Sequence, residues 1–382
     1  MAFLVLSLAS RFLGGPRPED VVFGERALSA GIATETTMVR RLAPILAAFA
    51  TSVVTAALSG QSKPVTLPAQ LESYVTKVVK PTEAQRKEMF AGRPITQMLD
   101  SDPSQEVSVF GIVWVKAPVA RYVTAIRDIE QFEKGENFRV TKKVSSPPRL
   151  EDFAALTLPA DDIDDLKSCR VGACELKLSE GSLNRIRKEI DWSKPTATAD
   201  VERLARRLML DYITGYLEGG NSRLATYRDS DRPTFVGAEF KSMVDRMPSL
   251  TEYLPDLKNY LLNYPKVSLP KAVSFVYWQE AKFGLKPTIR INHLTIAEDP
   301  THVAVASKML YASHYFWTAI ELRVLVPDPA RGEGFWFASV NRSRSDGLSG
   351  FVGRLIRGKV RGEAQKGMEA ALSITKTMLE QR

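Results

Sequence analysis

The chain has 382 residues, 44% of them hydrophobic and 25% charged. This is a globular composition that excludes wholesale disorder and suits one large or two ordinary domains. The net charge of +8 is compatible with anionic lipid, nucleic acid or plain solubility, whereas two cysteines exclude a disulfide-rich scaffold and a four-cysteine zinc site, and three histidines leave little for a His-rich metal centre.

The first clear signal in chain order is residues 38–60, MVRRLAPILAAFATSVVTAALSG. Arg40 and Arg41 precede an uncharged run from Leu42 to Leu58, and small residues follow up to Gly60. A charged start, an apolar middle and a small-residue exit are what a secretory signal peptide requires. The reading makes Met38 the true start and residues 1–37 an over-extended N-terminus. It places the mature protein in the periplasm or outside the cell. Two alternatives stand beside it, an uncleaved N-terminal anchor and a buried helix of a cytosolic protein, because about 17 apolar residues lie at the low edge of a membrane span. Export also makes a bond between Cys169 and Cys174 chemically accessible, since SCRVGAC can close on a turn at Gly172. Two buried free thiols are the alternative.

Residues 61–104, with Pro64, Pro68, Pro81 and Pro94, read as a linker with one or two short helices. Val107, Val109, Ile112, Val113 and Val115 then make a β-branched strand, Pro118 ends it, and residues 119–126 follow with helical spacing. A second strand is predicted over 138–144. Residues 150–265 read as mainly helical, with helices over 200–219, 235–247 and 250–262. Five strands are predicted next, over 273–281, 288–296, 303–310, 316–326 and 334–340. Their short connections favour an antiparallel meander. The chain closes with a long helix over 348–379, whose apolar stripe is Val352, Leu355, Ile356, Val360, Ala364, Met368, Ala371, Leu372 and Met378.

The β-α start from Val107 to Ile126 and the meander with its closing helix from Lys271 to Arg382 resemble the helix-grip fold. This is the SRPBCC superfamily of START lipid-transfer domains, polyketide cyclases and Bet v 1 allergens. SCRVGACELKL, SKMLYASHYF and NRSRSDGLSGFVGRLIRGKVRGEAQKGMEAAL are similar to an exported bacterial group of this kind. The resemblance implies an α+β domain over 105–382, a curved antiparallel sheet closed by the C-terminal helix, and a helical insertion at about 145–265. It further implies an apolar small molecule or lipid held without a cofactor between sheet and closing helix. The residues expected to line that cavity are Tyr277, Trp278, His293, Tyr311, His314, Phe316, Trp317 and Trp336. A simple packed core is the plainer use of such aromatics. An enzyme of cyclase or hydrolase type in the same cavity, with His293 or His314 as acid–base, is the main rival, and an envelope interaction protein without a ligand is another.

No other chemistry rises from the residues. Ser313 and His314 are adjacent, so on a strand they point to opposite faces, which argues against a local Ser–His pair. G-x-G-x-x-G, G-x-x-x-x-G-K-S/T and G-x-S-x-G are all absent. Asp161, Asp162, Asp164 and Asp165 lack the glycine and spacing of a calcium loop and read as a solvated face, with no metal site. The basic run includes Arg354, Arg357, Lys359 and Arg361. With Phe351, Leu355 and Ile356 it suits an anionic membrane surface, or simply a solvated outer face. Export removes nucleic acid as a partner.

Overall fold

The computed structural model describes residues 66–283, 286–348 and 350–381. The segment read as a signal peptide and the stretch before it lie outside the described residues.

Eight strands form one antiparallel sheet. In chain order they are β1 (Ile95–Met98), β2 (Glu106–Val115), β3 (Phe138–Lys143), β6 (Ala272–Phe283), β7 (Lys286–Glu298), β8 (Val303–Ala312), β9 (Phe316–Pro327) and β10 (Phe335–Ser345). Between β3 and β6 the chain makes a separate two-stranded ribbon, β4 (Thr226–Tyr227) with β5 (Thr234–Phe235). The large sheet runs in the order β1-β2-β10-β9-β8-β7-β6-β3 and is not closed. The five strands read as a meander are consecutive neighbours, as their short connections require. The last strand returns to pair with β2, and β3 lies at the far edge against β6. The molecule is thus α+β, with a large antiparallel sheet and a long C-terminal helix.

Both faces of this sheet are covered. On one, the helix Gly350–Glu380 presents Val360, Ala364, Met368 and Leu372 to Val107, Val109, Val113 and Phe337, together with the helix Val119–Arg127. Gly111 of β2 lies directly beneath it. A Cβ there would sit 2.6 Å from Met368 Cγ and 2.7 Å from Leu372 Cδ1, so glycine is what lets helix and strand approach. On the other face, the helices Ala69–Tyr74, Glu83–Phe90, Val236–Asp245 and Pro255–Asn263 cover Phe110, Ile112, Trp114, Leu322, Trp336 and Val340. The helix Ala197–Gly219 packs Met209, Ile213 and Tyr216 on Val276, Trp278, Ile291 and Leu310 on that same side. Gly220 ends this helix at φ +60°, against the Tyr264 carbonyl, where no side chain fits.

Several expectations change in detail. The stretch 250–262 holds two helices, Pro248–Thr251 and Pro255–Asn263, because Pro255 cannot continue a helix and instead starts one. Residues 66–104 contribute buried Leu71, Tyr74, Val75, Val79 and Met89 and the edge strand β1, so this part is core and not merely linker. On the closing helix Leu355 is 69% exposed and Met378 38% exposed. The buried stripe therefore starts further along than the spacing predicts. The acidic cluster is only partly solvated: Asp162 is buried against His314, and Asp165 pairs with Lys286.

Candidate functional site

The face away from the closing helix carries a groove of about 550 Å³. Leu322, Val324 and Val326 of β9 and Ala338 and Val340 of β10 form its floor, with Phe110 beside them. Leu71, Tyr74, Tyr253 and Leu254 line its side, the rings of Tyr74 and Tyr253 meeting edge-on at 5.4 Å. Size and apolar lining are those of a small-molecule site. The Tyr74 hydroxyl is buried here, with the Ser249 side chain beside it. Ser249, Thr301 and His302 supply further polar atoms at the margin.

A second pocket of about 510 Å³ lies where β3 ends beside β6, at the edge of the sheet, bordered by Lys143, Ser145, Asp152, Tyr264, Phe275 and His293. His293 Nδ1 is 2.9 Å from the Tyr216 hydroxyl, and the Tyr264 ring stands edge-on at 4.6 Å. Behind Tyr216, the Lys308 ammonium reaches its hydroxyl at 3.3 Å, the Leu261 carbonyl at 3.5 Å and Asn221 Oδ1. Asn221 Nδ2 donates to the carbonyls of Leu261 and Leu262, which fixes the amide so that its oxygen faces the lysine. Lys308 is fully buried, and burial pushes its amine down to about 7. His293 is pushed down to about 3, by burial first and by the Lys308 charge second. A third, smaller cavity of about 120 Å³ lies under the helices of the 144–271 segment and is lined almost wholly by leucine, isoleucine and other apolar residues.

The face toward the closing helix is different in kind. Across the middle of the sheet it carries Gln279, Arg290, Asn292, Ser307, Glu321, Arg323, Ser339 and Asn341, all buried. Arg323 Nε donates to Glu321 at 2.9 Å, and Glu133 lies 3.9 Å from the same guanidinium. Arg290 donates to Gln279, and Tyr277 and Ser307 share a hydrogen bond at 3.1 Å.

The eight residues expected to line one cavity do not meet. Tyr277 faces the closing helix. Trp278 lies on the opposite side, donating to the Asp152 carbonyl at 2.9 Å. His293 borders the second pocket. Tyr311 packs edge-on against Tyr212 and Tyr227 beside the small apolar cavity. Trp336 is core, 5.3 Å from Trp114, with its Nε1 donating to Asp328 at 3.0 Å. Phe316 belongs to a small cluster with Met309, Ala312 and Ala319, and Trp317 donates to Asp346. His314 Nε2 sits 3.0 Å from Asp162 and its Nδ1 3.3 Å from the Glu175 carbonyl, so both nitrogens are engaged in joining the 160–178 region to the β8–β9 turn.

Tyr216 and Asn221 are the site residues that sequence reasoning misses, since an apolar helix gives no sign that Tyr216 turns its hydroxyl to a histidine. Alternation along 303–310 puts Lys308 on one face with Ala304, Ala306 and Leu310, as a strand charge able to orient a polar head, but does not say whether that face is buried. The sulfurs of Cys169 and Cys174 lie at disulfide distance, with Cα atoms 4.5 Å apart. Of the proposed membrane residues, Arg354 and Lys359 are exposed, while Arg357 and Arg361 are half-buried, and Arg357 Nε donates to the Leu348 carbonyl at 2.7 Å. Phe351 and Leu355 beside them are 72% and 69% exposed. Among the described residues no cluster of His, Cys, Asp or Glu is arranged to hold a metal ion, and no helix is long and apolar enough to cross a membrane. Sequence comparison finds no matching family model and no similar curated protein.

Proposed function

We propose that this is an exported protein of the helix-grip kind that binds an apolar small molecule or lipid chain, without a cofactor, in the 550 Å³ groove. The observation that carries the reading is that groove, with apolar walls and the neighbouring Tyr74 and Ser249 hydroxyls to receive one polar atom of a guest. The helix-grip assignment is supported by connectivity. The first long strand pairs with the last, two helices follow it, the next strand starts the far edge, and a meander returns to a closing helix. The superfamily's usual place for a ligand is between sheet and closing helix. In this chain the middle of that face is polar and charged, which suits an apolar guest less well than the groove does.

The test is native mass spectrometry of protein taken from its own envelope fraction, then organic extraction. A stoichiometric apolar molecule is expected, and Val324→Trp, which fills the groove floor, is expected to remove it. Retention of the molecule by that variant places it elsewhere, and an empty wild-type protein overturns the reading. The mass also reports whether residues before Ser59 have been removed and whether the Cys169–Cys174 bond is closed.

A membrane role is supported by one further observation, the exposure of Phe351 and Leu355 one turn apart beside Arg354 and Lys359. Exposed rings and basic side chains together suit an anionic lipid surface. Cosedimentation with vesicles containing phosphatidylserine is expected to be salt-sensitive and lost in Phe351→Ser/Leu355→Ser. Equal binding to neutral vesicles argues against it.

A further inference from the structure

We propose that Lys308, Tyr216 and His293 form a proton relay that opens into the second pocket and acts on a small organic anion bound there. The inference goes beyond apolar binding and uses different residues, since the two pockets share none of the lining side chains named above.

The argument begins with hydrogen-bond direction. An ammonium has three N–H donors and no acceptor. Lys308 meets three acceptors: the Tyr216 hydroxyl oxygen, Asn221 Oδ1 and the Leu261 carbonyl. With Lys308 charged, the Tyr216 oxygen accepts from lysine, so its own O–H is donated to His293 Nδ1. A neutral imidazole carries one proton, which then resides on Nε2. The pocket therefore meets an N–H donor.

Discharging the lysine reverses every bond in the chain. The Nε2 proton leaves to a base in the pocket, Nδ1 takes the Tyr216 proton, and Tyr216 takes one from Lys308. One proton has left the protein, and the charge of the trio has fallen from +1 to zero. The amine lone pair now accepts from Tyr216, the tyrosine oxygen accepts from Nδ1–H, and Nε2 presents a lone pair. The same imidazole is a proton donor when lysine is charged and a proton acceptor when it is neutral. No reactant other than the exchanged proton is needed.

The surroundings favour this use. Among the described residues no carboxylate lies within ion-pair distance of Lys308. Phe240 of the 236–245 helix stands 4.5 Å from its ammonium, the 255–263 helix offers Tyr260 and the Leu261 carbonyl, and Tyr264 stacks on Tyr216. A lysine without a counter-charge in such a place costs stability if it serves packing alone. Burial brings its amine down to about 7, where both forms are populated near neutral pH, and holds His293 neutral throughout. The positive trio, with its Nε2 N–H toward the pocket, favours an anion there, while Lys143 at the pocket edge lies 4.1 Å over the Phe275 ring on the closing-helix side of β6. The Asp152 carboxylate, also at the margin, is occupied by the Ser145 and Arg149 amides and the Ser145 hydroxyl.

The experiment follows the imidazole nitrogens of His293 by NMR in 15N-histidine-labelled full-length protein, between about pH 6 and about pH 9, with benzoate as the probe anion. The proton is expected on Nε2 at the acid end and on Nδ1 at the alkaline end. Tyr216→Phe, checked for an unchanged fold by circular dichroism, is expected to abolish that exchange. Benzoate is expected to bind at least tenfold more tightly at the acid end in wild type, and without pH dependence in Tyr216→Phe. A wild-type tautomer that never changes overturns the relay, as does a Tyr216→Phe profile matching wild type. Lys308→Gln provides the second variant, expected to remove the pH dependence while keeping an amide donor toward Tyr216. A working tautomer exchange with no benzoate binding overturns the assignment of an organic anion.

Discussion

Both faces of the sheet are covered, but by different chemistry. The face under the closing helix carries apolar residues toward its β2 side and a row of arginine, glutamate, asparagine and glutamine across its middle. The opposite face is apolar around the groove, but it too buries charge: Lys308 with His293 at one place, Glu280 at another, and Glu106 with Arg342 and Arg344 at a third. Burial alone thus does not divide core from site. A buried ion pair adds little net stability compared with apolar side chains of the same size. The polar middle therefore adds little net stability, whereas the apolar face contributes stability wherever it is covered and leaves a groove where it is not.

Breaking the polar middle should have the largest effect. Glu321→Ala strips Arg323 of its nearest carboxylate in a dry place and is expected to cost about 3–5 kcal/mol in urea unfolding. The double change Glu321→Leu/Arg323→Met is expected to recover most of that loss, which would separate the penalty of an orphaned charge from the worth of the pair. Reducing Cys169–Cys174 should cost about 2 kcal/mol through chain entropy. Hydrogen exchange should then rise around residues 160–190 on the apolar side and stay unchanged under the closing helix.

The Lys308 effect is next. Its amine binds protons less readily in the fold than in the unfolded chain, so the unfolded state holds more protons above about pH 7. Stability should rise with pH from there toward the ordinary lysine range, by at most about 1.4 kcal/mol per pH unit, and lie lowest below that window. Lys308→Met should flatten this rise when thermal melts are compared across pH. The smallest effect is expected at the groove. Val324 is half-buried, so Val324→Ala should cost below about 1 kcal/mol while weakening an apolar guest.

How much of this was legible in the sequence follows from the same two faces. The strands and the closing helix were readable because β-branched runs and helical spacing are local properties. Which face each strand residue took was not. In β7 and β8 nearly every side chain is buried, so alternation between apolar and polar, the usual guide to orientation, is missing. Trp278 and Tyr277 are adjacent and equally buried, yet they lie on opposite sides. The aromatic set expected in one cavity is scattered for that reason. Asp162 was misplaced by its company: four aspartates within five positions look solvated, and only the distant His314 gives one of them a reason to be buried. The disulfide pairing was legible because Gly172 turns the chain between its partners, at φ +86°.

The long excursion over residues 144–271 begins and ends at neighbouring strands. The Val144 amide still bonds the Val276 carbonyl, and Lys143 opposes Tyr277, so β3 and β6 would form an ordinary hairpin if everything between them were removed. The excursion is in this sense a cassette held in a hairpin loop, and its loss or exchange would leave strand order and sheet connectivity intact. His293 and Lys308 belong to the permanent frame, while Tyr216, which joins them, belongs to the cassette. A related chain could therefore gain or lose the link between them by swapping one loop, with the frame left as it is.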